Sequence, residues 1–593
     1  MTREHDGLET PLLPLDRTSP LDSMSAADWP AASVQRVHLL VPLAWKAPAA
    51  GSDSARCTLR YDAVRRLLLV VSVEDEGRVL DVIDPDDMIG VDLQVHLMNN
   101  SESERERLVR SSQEGNNSNN TNTRASNEPA TNDLRDTQAA AVLSIYAYPR
   151  RDPAMATWFH WCGLTAYTPQ PNPHYQRPDD SSSKLGPRYA HPRLFTLAPS
   201  EDLADCNALL SALRALAVGQ PIDKQQQQRS STKKYLIVVN PRSGPKRNSA
   251  AIAEQQVQPM LEQAGIEVEI CVTTHPRHAQ ERMAELSRDG SSGPGDTDVA
   301  AYDGLVLLGG DGIIHEVLNG IMDRADAADI LRRIKIGVVG CGTANGFATA
   351  VTFASNERYG LVEETFLICK GRTVTADLSR YTTTNRSYIS FLTYSWAMIA
   401  DIDIESERIH FLGEARFDVW AVWRVLFLRR YRARFSYLPA SNATKSKYAM
   451  DIVAANMPAL ESPVPSDWVT VEDDFLLFWA SHVTHAAMHT YHSPPSNLQD
   501  GSFQVLVVKG SGISRYRMAR ILLGLETGSH VGMPGAEFVE CVAYRLEHLT
   551  SGSFNDIDGE HVEDGPIQAH VLPGAFQVFC NSKRTPKTGT TVS

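Results

Sequence analysis

Three glycine-rich turns stand out as candidate phosphate-handling elements: Asn240-Pro241-Arg242-Ser243-Gly244, Gly309-Gly310-Asp311-Gly312 and Gly340-Cys341-Gly342-Thr343-Ala344-Asn345-Gly346. Each follows an apolar run and precedes a helical pattern, so each aims backbone N–H groups and the positive end of a helix beyond the strand, where an anion would sit. Singly these are weak signals, because a glycine after a strand more often makes a tight connection. None spells G-x-x-x-x-G-K-[ST], and G-x-G-x-x-G is absent, so neither a P-loop nor a dinucleotide fingerprint is supported. A second group is acidic. Asp401, Asp403, Glu405 and Glu407 concentrate negative charge where an ammonium group would find a partner, the plain alternative being a solvated helix face. His315 and Glu316 lack the HExxH spacing, which leaves packing or capping as their role. His482, His485, His489 and His492 suggest a metal, but SHVTHAAMHTYH holds no acidic or thiolate companion.

To position these residues the chain must supply a strand before each turn. YLIVV (235–239), GLVLL (304–308) and KIGVV (335–339) read as buried strands. Between them lie a helix from Asn248 to Ala264 ended by Gly265, the strand IEVEICVTT, the helix HAQERMAEL, and one helical face of Ile314, Val317, Leu318 and Ile321. Such alternation predicts a doubly wound α/β lobe over 233–375, with ligands at the carboxyl ends of its strands. From 376 to 582 strands such as YISFLTYSW, SFQVLVV and FVECVAYRL dominate, which predicts a β-rich lobe and an active site in the cleft between the two.

Upstream, residues 35–222 hold the strand-like runs SARCTLRY, RRLLLVVSV, VDLQVHL, AAVLSIYAYPR, TWFHWCG and RLFTL. A helix from about Glu201 follows, with Leu203, Cys206, Leu210, Leu213 and Leu216 at helical spacing. Strands closed by one amphipathic helix give the order of a pleckstrin-homology-like domain. Residues 1–34, an insertion at about 101–136, a linker at 223–232 and the tail 583–593 read as disordered or solvated. The segment Phe417 to Phe435 mixes Trp420, Trp423, Phe427 and Tyr431 with Arg424, Arg429, Arg430, Arg432 and Arg434. That mixture suits an interfacial helix on an anionic membrane, or aromatics packed inward beneath a solvated basic face.

At 593 residues the chain should hold three or so domains, at about 100–200 residues each. Its 42% hydrophobic and 22% charged residues are those of a soluble globular protein, with no apolar run near the roughly 18 residues of a membrane span. A net charge of −14 argues against one large basic field, hence against nucleic acid as a partner. Eight cysteines without a CxxC pair suit a reducing compartment. MTREHDGLETPLLPLD lacks a signal-peptide pattern and Thr2 stands where myristoylation needs glycine, so a cytoplasmic location is the expectation. Nothing in the sequence decides for or against a homo-oligomer.

Taken together and in order, NPRSG, T-x-x-x-H-A (Thr274 to Ala279), GGDG followed by HEVLNG, and G-T-x-N-G resemble the diacylglycerol kinase-like catalytic domain of lipid kinases. The run Ser395 to Glu407 (SWAMIADIDIESE), Leu412-Gly413-Glu414-Ala415-Arg416-Phe417, and Asp558-Gly559-Glu560 resemble the stretches peculiar to sphingosine kinases. The resemblance covers about 233–582 and leaves the first 230 or so residues outside. It implies a two-lobed core whose β-rich lobe binds lipid. It also implies transfer of the γ-phosphoryl of ATP, with Mg2+, to the primary hydroxyl of a long-chain sphingoid base, by an enzyme peripheral on membranes. By the same resemblance Asp311 accepts the hydroxyl proton, Asp403 recognises the amino-alcohol head group and Arg416 is directed at phosphate; Glu407, one helical turn after Asp403, shares its face as a substrate contact if that segment is helical. Asn240, Arg242, Gly244, Gly309, Gly310, Gly312, Gly342, Thr343, Gly559 and Glu560 fall at nucleotide-binding positions, and Asp558 in the metal's coordination shell. Three positions depart from the pattern: Gly309 where serine is usual, Gly340 where proline is frequent, and His410 where a second phosphate-directed arginine stands. A ceramide or diacylglycerol kinase shares the GGDG core, and an inactive lipid-binding scaffold is the rival of another class.

Overall fold

The computed structural model describes residues 39–45, 55–62, 67–72, 79–83, 85–98, 138–150, 187–190, 193–197, 210, 212–217, 232–243, 248–285, 298–413, 415–443 and 457–582. The expected leader, the insertion at 101–136, the strand TWFHWCG, the start of the helix near Glu201, residues 223–231 of the linker, the tail and Gly244 lie outside them. The chain forms two compact units, Met1–Ala147 with Pro192–Ile222, and Tyr148–His191 with Asp223–Ser593. Of the described residues, 148–150 and 187–190, read from sequence as part of the first domain, fall in the second unit.

The first unit holds seven strands: β1 (Leu39–Trp45), β2 (Ala55–Asp62), β3 (Leu67–Ser72), β4 (Val79–Ile83), β5 (Met88–Met98), β6 (Gln138–Ala147) and β7 (Arg193–Leu197). They form one antiparallel sheet in the order β4-β3-β2-β1-β7-β6-β5. Leu68 with Val70, and Leu143 with Ile145, are buried at the two-residue spacing of a sheet with one core face. Leu213, Leu216 and Ala217 of the helical stretch 212–217 are buried too.

In the second unit β8 (Lys233–Val239), β9 (Ile266–Val272), β10 (Gly304–Gly309) and β11 (Lys335–Gly340) are parallel, in the order β9-β8-β10-β11. Tyr235 to Val239 and Leu305 to Leu308 are all buried, as continuous apolar runs must be when helices cover both faces. The chain order reverses between β8 and β10, so the crevice at their carboxyl ends is a topological switch point. There the Asn240 N–H donates to the Leu308 carbonyl (3.1 Å) and the Cys341 N–H to the Gly309 carbonyl (2.8 Å), which sets the three turns side by side. Helices α1 (Asp311–Met322), α2 (Gly346–Ala354) and α3 (Leu361–Lys370) follow the second and third turns.

The remaining strands are β12 (Thr373–Thr382), β13 (Ser387–Ser390), β14 (Thr393–Ala397), β15 (Tyr431–Pro439), β16 (Val469–Ser481), β17 (Phe503–Lys509), β18 (Glu537–His548), β19 (Asn555–Ile557), β20 (Glu560–Val562) and β21 (Ile567–Phe579). Strands β15, β16, β17 and β18 pair in a closed ring around an aromatic core that includes Phe435, Phe475, Phe478 and Tyr544. The α/β and β-rich parts share one sheet: β21 runs parallel to β11 and antiparallel to β12 and β18. The boundary placed at 375/376 thus falls inside β12, because the chain's last strand returns to complete the edge of the parallel sheet. Helices α4 (Met398–Ser406), α5 (Ala415–Leu426) and α6 (Arg515–Gly524) pack on the β-rich part.

Candidate active site

Asp311 opens α1 at the end of β10 and is buried. Its carboxylate accepts the N–H groups of Gly346 (2.9 Å) and Phe347 (3.1 Å), so the start of α2 fixes its orientation. Burial pushes its pKa up to about 6; the two backbone N–H groups oppose the rise and the charge of Asp558 adds to it. The second and third turns touch backbone to backbone. A Cβ on Gly342 would lie 2.4 Å from the Gly310 Cα, so only glycine fits there. Asn345, in the left-handed region at φ 52°, accepts the Gly342 N–H at 2.7 Å and donates to the Gly342 carbonyl at 2.6 Å, locking the loop on itself. Thr343 and Gly312 of these turns are exposed. In the first turn the Asn240 side chain accepts the Arg242 N–H (3.0 Å), an Asx turn that leaves Arg242 exposed.

Helix α4 sorts its acids by phase. Asp401 and Glu405, one turn apart, face inward: Arg424 of α5 ion-pairs with both, and the Tyr431 hydroxyl donates to Asp401 at 2.8 and 2.9 Å. These two are spent on holding α5. Asp403 and Glu407 face the other way, where Glu407 ion-pairs with Arg416 and the charges of Arg416, Glu407 and Glu560 all act on Asp403. Burial pushes the pKa of Asp403 up to about 6, Arg416 resists, and the two glutamates add to the rise. His410 is exposed, its Nδ1 3.2 Å from the Glu407 carbonyl. The structure thus brings Asp403, Glu407, Arg416 and Glu560 together from three separate motifs.

Asp558-Gly559 forms a two-residue hairpin loop between β19 and β20, with φ of 54° and 86°. The Asp558 side chain turns inward from this loop. One oxygen accepts from the Ser390 hydroxyl (2.6 Å) and the N–H groups of Thr393 (3.0 Å) and Leu392 (3.1 Å). The other lies 3.4 Å from both the Phe391 N–H and the His315 Nδ1. Three donors thus fill the first oxygen, while the second carries only these two long contacts. Among the described residues no group of three or more His, Cys, Asp or Glu side chains could hold a metal ion.

One residue of the site was missed in the sequence. Asp556, two positions before Asp558, is buried; the Ser395 hydroxyl donates to one of its oxygens (2.7 Å) and the other has no partner. Burial and the charge of Asp403 push its pKa well up. Its signal was a second acid at strand period beside Asp558. Glu316 accepts the Ala279 N–H (3.2 Å), the capping role expected of it. His482, His485 and His492 pack against Phe503, Tyr491 and Trp479. Burial pushes the pKa of His482 down to about 4, which makes it a neutral core residue.

The segment from Phe417 is not one helix. Helix α5 ends at Leu426, and from Tyr431 the period changes from helix to strand. Tyr431, Ala433 and Phe435 point into the core, while Arg432 and Arg434 face out and pair with Glu472, Asp474 and Glu547. Trp420 also turns inward, donating to Glu405 at 3.0 Å. What α5 exposes is Val419, Val422, Trp423 and Leu426, continued by Phe427. Arg515 of α6 donates to the Leu426 carbonyl at 2.9 Å.

These arrangements have counterparts in known proteins. The family model "Diacylglycerol kinase catalytic domain" matches residues 234–381, and "YegS C-terminal NAD kinase beta sandwich-like domain" matches residues 480–580. Sphingosine kinase 1 of Mus musculus is 30% identical over 367 residues, covering 60% of this chain and 92% of that protein. Sphingosine kinase 1 of Homo sapiens is 31% identical over 370 residues, with the same 60% and 92% coverage. Sphingosine kinase 1 of Arabidopsis thaliana is 29% identical over 362 residues, covering 59% and 71%. Similarity of that extent, over nearly the whole of the mouse and human proteins, shows that the chain belongs to the sphingosine kinase family.

Proposed function

We propose that the chain transfers the γ-phosphoryl of ATP to the primary hydroxyl of a long-chain sphingoid base, with Asp311 as proton acceptor and Asp403 as the head-group carboxylate. The observation that carries this reading is the sorting of the α4 acids. Asp401 and Glu405 are neutralised by Arg424, and Asp403 is left facing Arg416, Glu560 and Asp556. A partly buried carboxylate suits an ammonium head group, which ceramide and diacylglycerol lack. The glycine turns at the ends of β8, β10 and β11 would hold the phosphates through backbone N–H groups, with Asn240, Arg242, Gly309, Gly310, Gly312, Gly342 and Thr343 on that side. Arg416 and Glu560, with Gly559 and His410 nearby in their motifs, would face the space between nucleotide and lipid. Magnesium would arrive with the phosphates of ATP rather than wait in a protein cage, as it usually does in kinases. Labelled ATP offered with sphingosine, phytosphingosine, ceramide and diacylglycerol should label the two free bases only. Equal labelling of ceramide or diacylglycerol would favour the other lipid kinases, and no labelled product at all would favour the scaffold.

No helix among the described residues is long and apolar enough to cross a membrane. We assign peripheral docking to the exposed face of α5, where Val422 is 61%, Trp423 49% and Leu426 53% exposed, beside Tyr516 of α6 at 73%. With Val422→Glu and Trp423→Glu combined, flotation with anionic vesicles should be lost while activity on detergent-dispersed sphingosine is kept. Unchanged flotation overturns the assignment. For the first unit, seven antiparallel strands followed by a helical stretch support the pleckstrin-homology-like reading.

A further inference from the structure

We propose that Arg188, supplied by a segment outside both family matches, is a positioning residue for the third glycine turn, which makes residues 148–150 and 187–190 a working part of the kinase unit. The proposal rests on the reading of that turn as a nucleotide contact. Arg188 is 9% exposed and fully engaged. Its guanidinium grips Glu357 through two parallel bonds, Nε to Oε2 at 3.2 Å and Nη2 to Oε1 at 2.9 Å. Its Nη1 donates to the Tyr148 carbonyl at 2.6 Å, and the group stands 3.7 Å from the centre of the Phe366 ring. Its backbone N–H donates to Glu363 Oε1 at 2.9 Å. Arg150, bridged to Arg188 as in a short antiparallel ladder, adds a second ion pair to Glu357 at 2.7 Å and donates to the Asn356 carbonyl at 2.9 Å.

Of the acids so held, Glu357 lies in the loop between α2 and α3 and Glu363 in the first turn of α3, and their neighbours Tyr359 and Glu364 hold the turn. Glu364, next to Glu363, is buried and accepts the Gly340 N–H at 2.9 Å. Tyr359 donates to the Gly340 carbonyl at 3.2 Å and accepts from the Asn345 amide at 2.8 Å. The N–H and the carbonyl of Gly340 are therefore fixed by the first turn of α3 and by the loop that leads into it. A glycine brings no stiffness of its own to a turn, so the loop's placement sets the turn's placement. Removing the Arg188 guanidinium leaves Glu357 with the half-exposed Arg150 and frees the loop to shift at Glu357 and Phe366.

The test uses the full chain and reads the two substrates separately. Arg188→Met keeps much of the aliphatic stem and removes the charge. It should raise KM for ATP about 3- to 30-fold, the range for coupling through a packed network, with KM for the base unchanged. In a Glu364→Leu background, which already lacks the acceptor for Gly340, the same substitution should add little to KM for ATP. Arg188→Lys, which preserves charge without the paired geometry, should give an intermediate rise and serves if the methionine variant does not fold. Unchanged KM for ATP in both Arg188 variants overturns the proposal. So does an equal rise for both substrates, or loss of thermal stability with neither KM altered. A wild-type chain that phosphorylates no base at all would instead overturn the functional reading.

Discussion

Asp311→Asn is expected to lower kcat by about 10²–10⁴-fold while KM for ATP and for the base stays near the wild-type value. The size follows from the position. Asp311 sits where the second turn meets α1, and two N–H groups of α2 hold its oxygens, so the carboxylate needs no reorientation when a hydroxyl arrives. An amide can fill the same space and keep one of the two backbone bonds, yet it has no lone pair basic enough to take the proton. Acidity supplies a second reading of the same residue. Burial and Asp558 raise its pKa from 3.8 to about 6 against the pull of the Gly346 and Phe347 N–H groups. The reactive form is the ionised one, so kcat/KM should fall as pH drops through about 6 and level off above it. His315, one helical turn from Asp311 and held against Asp558, is another titratable group close to this site. Asp311→Asn should remove the acid limb set by Asp311 along with the rate. Wild-type turnover in the variant, or an acid limb that survives unchanged, would overturn the assignment.

The parallel sheet was legible because its central strands must be apolar on both faces, so Tyr235–Val239 and Leu305–Leu308 appear as unbroken runs that end in glycine turns. The four acids of α4 were legible as a cluster but not as two pairs. Helical spacing says that Asp401 goes with Glu405, but only the arrival of Arg424 from the next helix says which pair is buried. Asp558 was singled out only through the resemblance, as a metal ligand. Its clasp on Ser390 and the peptide groups of Leu392 and Thr393 spans more than 160 residues of chain, a distance that no local pattern reports. Asp556 was missed for the same reason: its neighbours Ser395 and Asp403 come from β14 and α4. The aromatic and basic run from Phe417 misled because two periods were read as one; the switch at Tyr431 turns two of its five arginines, Arg432 and Arg434, into strand residues paired with Glu472 and Glu547. The α2–α3 loop gave no sign that a distant arginine would anchor it, since Glu357 and Glu363 look like ordinary surface acids until Arg188 is in place.

The effect expected of Asp403→Asn falls on the lipid substrate alone. A hydrogen bond to a charged group is worth about 1.5–3 kcal/mol, so KM for sphingosine should rise about 10- to 100-fold and KM for ATP should hold. Asparagine is nearly isosteric and leaves the Glu407–Arg416 ion pair without a new clash, so a rise confined to the base reports the lost charge rather than a collapsed helix. The pH dependence carries the same sign. Burial, Glu407 and Glu560 push Asp403 up to about 6 while Arg416 holds it down, and Asp556 faces it as a second, more strongly raised carboxyl. Ionised Asp403 is the form that attracts an ammonium, so KM for the base should fall as pH rises through about 6 and then level. In the asparagine variant that slope should flatten. Equal increases in both KM values would place Asp403 in the support of the whole site, and an unchanged KM for the base would remove it from the head-group contact altogether.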